Sequence, residues 1–409
     1  MSVSDTEIVS SSSNKALLLI REVLFFSSLG FFLFKRLFCD VTLWNGQNPF
    51  WGEVDQQVDQ ICESYVPFIL IACIVFAFFT TVPKLTRLLA CAALIAIGKL
   101  VAVANEDSYF FVMTLLIVAA VGISAKKILT FTIGLNIPFL LYTVISSQIG
   151  RIENRIDPGR HREYLGYNWT TTPVMIFTYA VFAYLVLRKG KITIWEYLFL
   201  NAANFWFFYK TNTRFAFLII FLLLTFLMVY RAIRDHVIQH SLYRNLFVVI
   251  PELCFIFVYG ITMLYDPNSG IMLKLDSILS HRLRQCQYSI GKYGLLPFGQ
   301  PITWVTIGQS TPDNPATYVD TAYLQTLLKF GYVTLIALLL LSSYILYRSF
   351  KEKKYALAIV FGCVLVFGLF EQQPFWAEYD VILLLAFADW AKIRDFSHDM
   401  PQIGLNRQL

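Results

Sequence analysis

Charge is what this chain has least of. Only 15% of its 409 residues are Asp, Glu, Lys or Arg, against 57% hydrophobic residues and a mean hydropathy of +0.60. A soluble domain carries about 25% charged residues, so the composition excludes one and implies an integral membrane protein. The seven cysteines show no metal-ligand spacing, which argues against a cysteine-ligated zinc site. Cys73, Cys91, Cys254 and Cys363 fall in apolar runs as small core residues, whereas Cys39 and Cys62 share a connection in which a disulfide could form. No Ala-x-Ala-like site follows the first apolar run, so it reads as an uncleaved helix. Internal repeats, common in secondary transporters, are not found either.

What the chain does have is apolar runs near the length of about 20 residues that crosses a bilayer. The pattern predicts helices near Ala16–Phe38, Val66–Val82, Leu88–Ala104, Tyr109–Ser124, Ile128–Ile149, Pro173–Leu187, Ile192–Tyr209, Phe215–Tyr230, Leu246–Tyr265, Ala322–Arg348, Tyr355–Phe370 and Phe375–Trp390. The expectation is an all-α membrane protein of about twelve spans, with a polytopic domain over 16–395 and short tails at 1–15 and 396–409. Alternate connections are basic: Lys84 and Arg87; Lys126 and Lys127; Arg188, Lys189 and Lys191; Arg231, Arg234 and Arg244; Arg348, Lys351, Lys353 and Lys354. Those between are acidic or mixed. The positive-inside rule then puts both termini in the cytoplasm, with Lys35 and Arg36 as exceptions at the outer end of the first helix.

On that topology the polar segments 150–172, 210–214, 266–321 and 371–378 lie outside the cytoplasm, where nucleotide-activated donors are scarce. The first carries Arg151, Arg155, Arg160, His161 and Arg162. Planar guanidinium forks of this kind bind phosphate, though a solvated charge run is the plainer account. Arg214 opens a helix, where it could anchor the interface or hold an anion together with the helix dipole. The large loop 266–321 contains an expected helix, Leu279–Tyr293, and aromatic and aliphatic residues able to build a small packed unit: Tyr288, Tyr293, Leu295, Leu296, Phe298 and Trp304. Arg282 and Arg284 would point about 200° apart on that helix, and His281 suits a hydrogen-bonding spacer. Asp320 and Glu371 each stand at a membrane boundary, where a carboxylate could cap a helix or act as a general base.

Four pieces together resemble the O-antigen ligase and Wzy-type polysaccharide polymerase superfamily. Arg162 to Asn168 is similar to its arginine followed by Leu-Gly-aromatic-x-Asn, and Thr211–Arg214 to its Thr/Ser-x-Thr/Ser-Arg helix start. Ser280-His281-Arg282 with Pro297-Phe298-Gly299 resembles its Ser-Gly-Arg and Pro-x-Gly pattern. Asp320-Thr321-Ala322-Tyr323-Leu324 with Gly331 resembles its Asp-Asn-x-Tyr segment. The resemblance implies a C-type glycosyltransferase (GT-C) architecture in the bacterial cytoplasmic membrane, using neither metal nor other cofactor. Its substrates would be undecaprenyl-diphosphate-linked oligosaccharides as donor and acceptor, with flippase and chain-length regulator proteins as partners and no nucleic acid. Arg214, Arg282, Arg162 and Arg160 would hold the diphosphate, Asp320 would activate the acceptor hydroxyl with Glu371 as the reserve candidate, and Asn168, Tyr323, His281 and Arg284 would contact substrate. Ligases of the superfamily have a histidine where this chain has Asp320, which favours a polymerase over a ligase. A flippase for lipid-linked sugar, and a lipid-monophosphate-dependent transferase using Glu53 and Asp55, are the competing expectations.

Overall fold

The computed structural model describes residues 12–391 apart from 45–47, 81–84, 158 and 238–240. Residues 1–11 and 396–409 of the expected tails, and Lys84, lie outside the described residues. Among these residues the regular secondary structure is all helical, with no β-strand and only isolated bridges such as Thr42 with Tyr167 and Ser124 with Asp389.

Helix α1, Ser12–Phe34, ends in a π-helical turn, Lys35–Cys39. Helices α2, Pro49–Gln60, and α3, Val66–Thr80, are joined by a second π-turn, Ile61–Tyr65. The acidic stretch Glu53–Glu63, expected as a connection, is therefore helical, because Asn48 caps its start and Pro49 fits the first helical position. Then follow α4 (Leu85–Asn105), α5 (Tyr109–Ala119), α6 (Ala125–Gln148), α7 (Thr172–Leu187), α8 (Ile194–Thr211) and α9 (Arg214–Val237). Two pairs follow in turn: α10 (Ser241–Val248) with α11 (Ile250–Met263), then α12 (Gly270–Ile278) with α13 (Arg282–Tyr293). The series closes with α14 (Ala322–Lys329), α15 (Tyr332–Lys351) and α16 (Tyr355–Phe367).

Five helical stretches are long and apolar enough to cross a membrane: Leu17–Cys39, Pro49–Phe78, Leu85–Asn105, Ala125–Gln148 and Tyr332–Lys351. Helices α5, α7 and α16 are shorter and buried on nearly every side. A helix apolar all round belongs either to a protein core or to a bilayer, so hydropathy alone does not distinguish these from spans. The expected helix Ala322–Arg348 is broken at Gly331, and the expected helix Phe375–Trp390 is absent. In its place two 3₁₀ turns, Gln373–Phe375 and Val381–Ala386, run through the centre of the molecule. This segment reaches from Glu378, beside Arg36 and Tyr109, to Asp389, beside Ser124. About 2.0 Å of rise per residue in 3₁₀ geometry, against 1.5 Å in an α-helix, lets a short chain cover that path.

The helix directions define two ends. At one, α1 and α6 begin and the described chain finishes. At the other lie the C-terminal ends of α1, α6, α8 and α16, together with the loops 149–171 and 264–321. The first of these ends is tied together by a buried polar group. Arg21, fully enclosed, donates to the Ala119 and Val121 carbonyls that close α5.

Candidate functional site

The turn between α8 and α9 sets the first wall of the site. Thr211 donates to the Phe207 carbonyl (2.8 Å) and shares a hydrogen bond with Thr213 (2.9 Å), which ends α8 with both hydroxyls satisfied. Asn212 takes the left-handed conformation (φ 50°), a conformation Asn tolerates better than most residues, and Arg214 emerges exposed at the start of α9. The segment 154–164 is bolted to this turn. Lys210 pairs with Glu163 at 2.7 Å, and the Glu163 amide donates to the Lys210 carbonyl at 3.0 Å. Burial pushes the Glu163 carboxyl up, yet hydrogen bonds from Lys210, Asn154 and Gln148 outweigh it and leave the group below its ordinary range. Arg160 and Arg162 are thereby carried to the side of Arg214.

The rest of that motif is structural. Leu165 and Gly166 have positive φ, and a side chain on Gly166 would press on Ile152, Ser147 and Thr143 at 3.1 Å. The Leu43 amide donates to the Gly166 carbonyl (2.9 Å) and the Asn168 amide to Val41 (2.8 Å), while the Asn168 side chain donates to Asp40 (3.0 Å). Asn168 thus docks the loop onto the exit of α1.

The second wall comes from the large loop. Buried Asp276 of α12 accepts from the Arg284 amide (3.2 Å), pairs with His281 Nδ1 (3.2 Å) and offers its carbonyl to the His281 amide (2.7 Å). Ser280 and His281 both have left-handed backbones (φ 56° and 66°). This tight reversal fixes where α13 begins and sends Arg282 inward, while Arg284 stays exposed. Arg282 Nε pairs with Asp320 at 2.9 Å, and its Nη1 donates to the Phe370 carbonyl at 2.6 Å. Its guanidinium lies over the Phe215 ring (5.9 Å), which stacks on Phe370 at 4.4 Å. Phe215 and Phe370 escaped the sequence analysis, although they directly adjoin Arg214 and Glu371. The aromatic unit expected in this loop forms in part: Trp304 makes edge contacts with Tyr293 and Tyr318. Tyr288, Leu295 and Leu296 face outward instead.

Glu371 closes the site from the end of α16. Burial pushes its carboxyl up to about 7, with Arg282 pulling it down, Asp320 raising it and Arg162 lowering it again. Asp320 is raised by burial against the pull of Arg282. Burial and neighbouring Arg160 lower Arg162, against Asp157, and Arg214 adds to the lowering. Arg162, Arg214, Arg282, Asp320 and Glu371 therefore share one electrostatic neighbourhood, assembled from four separate stretches of chain. Two features stand out chemically. The buried Nε of Arg162 has no hydrogen-bond partner among the described residues, and the Glu371 side chain accepts no hydrogen bond from them. Tyr323, expected to contact substrate, is fully buried and donates to the Leu365 carbonyl (2.8 Å). His281 and Arg284 face away, engaged with Asp276 or exposed.

Lys35 and Arg36, the exceptions to the charge pattern, are neutralised locally. Lys35 lies 3.0 Å from each of Asp40, Asp55 and Asp59, and Arg36 pairs with Asp40 (2.7 Å) and buried Glu378 (3.5 Å). No disulfide joins Cys39 to Cys62.

No protein-family model, curated protein or solved structure matches the chain. The fold and composition define an all-helical protein with several membrane-length apolar helices, consistent with a multi-pass membrane protein.

Proposed function

We propose that the chain is a glycosyltransferase that polymerises lipid-linked oligosaccharide repeat units. It transfers the growing glycan from undecaprenyl diphosphate to the non-reducing end of a new lipid-linked repeat. On this proposal the twelve-pass GT-C-like architecture, cytoplasmic termini and an extracytoplasmic site in a bacterial cytoplasmic membrane go together. The observation that carries it is the cationic surplus around Arg162, whose buried Nε has no partner. Arg160, Arg162 and Arg214 have no carboxylate partner within ion-pair distance among the described residues, which suits a ligand bringing two or more negative charges.

In the reaction, the bond from the donor's anomeric carbon to the diphosphate oxygen breaks as the acceptor hydroxyl oxygen bonds to that carbon. The electron pair leaves with the diphosphate, where the guanidinium groups stabilise the growing charge. The hydroxyl proton goes to a carboxylate. Asp320 is held in an ion pair with Arg282, whereas Glu371 accepts no hydrogen bond and titrates near 7, the range suited to a general base at neutral pH. Glu371 is therefore assigned as the base, with Asp320 positioning Arg282.

The test is glycan length, measured with purified protein, a lipid-diphosphate-linked repeat unit and a chelator. A ladder that forms with chelator present and disappears in Arg214→Ala and Arg282→Ala is expected. Unchanged ladders in both variants would overturn the diphosphate clamp. No ladder from folded protein, with fluorescent lipid moved between liposome leaflets, would establish the flippase instead.

A further inference from the structure

At the end opposite the arginine cluster, α1 and α6 part around a groove of about 590 Å³ lined by Phe26, Ser124, Lys126, Lys127, Thr130 and Phe131. Its polar groups lie nearest the end of the molecule. Helix α6 is 24 residues long, and its N-terminus concentrates positive dipole and unpaired amides there. The Ala125 amide donates to the Asp389 carbonyl at 2.9 Å. The amides of Lys126 and Lys127 have no acceptor among the described residues.

Ser124 supplies an independent sign. It stands at the N-cap, where a serine hydroxyl ordinarily accepts from the first turn, yet it makes no capping bond. The residue is 8% exposed, and its hydroxyl has no partner among the described residues. Lys127 is neutralised by Glu22 at 2.5 Å, but Lys126 is exposed and has no ion-pair partner among the described residues. Asp389, bridged to Ser124 through the backbone, turns its carboxylate to the Ala391 amide (2.9 Å). One helical turn deeper the character changes, where Phe26 and Phe131 form an apolar wall with centroids 5.0 Å apart. A cationic, amide-rich mouth above an aromatic wall fits an amphiphile whose head is anionic.

We propose that this groove binds an anionic glycerophospholipid. The Ser124 hydroxyl and the amides of Lys126 and Lys127 donate to its phosphate, the Lys126 side chain supplies the charge, and the acyl chain lies along Phe26 and Phe131. The site is separate from the arginine cluster and does not depend on the function proposed for it.

The experiment is native mass spectrometry of the full chain in detergent, titrated with phosphatidylglycerol or phosphatidylcholine, with melting curves recorded for each variant. Phosphatidylglycerol should be retained preferentially. Lys126→Gln should weaken retention about fivefold, the usual worth of one lysine at an anionic surface, and Ser124→Ala should weaken it further. Lys351→Gln, at the same end but outside the groove, should leave retention unchanged. If Ser124→Ala does not fold, Lys126→Gln still decides, because that side chain is exposed. Equal retention of phosphatidylcholine, or an equal loss from Lys351→Gln, overturns the proposal. So does full displacement by glycerol 3-phosphate, which would mark a phosphate site with no need of a lipid chain.

Discussion

Arg282 makes three contacts that a lysine cannot reproduce together: Nε to Asp320, Nη1 to the Phe370 carbonyl, and a face over Phe215. Arg282→Lys keeps the charge and loses the fork. On the proposed function, the polymerisation rate of that variant should fall by about 10²-fold, the scale of losing one aligned electrostatic donor, with protein level retained. Glu371 predicts a pH dependence of definite sign. On the proposed function Glu371 is the base and must be ionised, so turnover should fall about tenfold per pH unit below 7 and level off above it. Stability should run the other way. The unfolded carboxyl titrates near 4.3 and the folded one near 7, so between those values the folded chain holds the extra proton and loses stability as pH rises. Glu371→Gln should remove that slope, gaining about 3 kcal/mol over the native chain at pH 8 relative to pH 4. Chemical denaturation at the two pH values measures it, and an unchanged slope would show that Glu371 is not the group concerned.

At the scale of elements, the large loop is held to the bundle by two glycines that face each other. Gly299 and Gly331 both have positive φ. A Cβ on Gly299 would sit 1.9 Å from the Lys329 carbonyl oxygen, and one on Gly331 would sit 2.4 Å from that of Pro297. The close approach lets Tyr332 and Val333 donate to the Leu296 and Pro297 carbonyls at 3.1 Å, and Gln300 to Lys329 at 3.2 Å. This backbone clasp breaks α14 from α15 and fixes the loop that carries Arg282. Gly331→Ala should cost about 3 kcal/mol or more, combining left-handed strain with displaced backbone. Its melting point should drop and protease should cut within 266–321 before the bundle opens. The sequence showed the Pro-x-Gly and the distant glycine as separate motif fragments; their mutual contact was not legible because it depends on two backbones meeting across about thirty residues.

At the scale of the whole molecule, the central return segment is locked by Glu378, 1% exposed, between Arg36 and the Tyr109 hydroxyl (2.6 Å). Breaking one partner of a buried ion pair strands the other, at about 3–5 kcal/mol. Glu378→Ala should lower stability by that order, and the double variant Arg36→Met with Glu378→Met should recover most of the loss in a denaturation cycle. Simple additivity of the single changes would show that the pair is not coupled.

Composition and apolar runs were enough to determine a helical, membrane-type chain, because hydropathy and helix period are local properties. They also marked Arg162, Arg214, Arg282, Asp320 and Glu371 as candidates, since charge beside apolar sequence is costly and therefore conspicuous. Tertiary structure decided which of them meet. Asn168, Tyr323 and His281 carry equally suggestive motifs, but each is spent on a carbonyl or carboxylate of the scaffold. It also decided that Phe375–Trp390 crosses the core without an α-helix. An apolar run looks the same to a hydropathy scale whether lipid or protein surrounds it, and only the packed neighbours settle which one does.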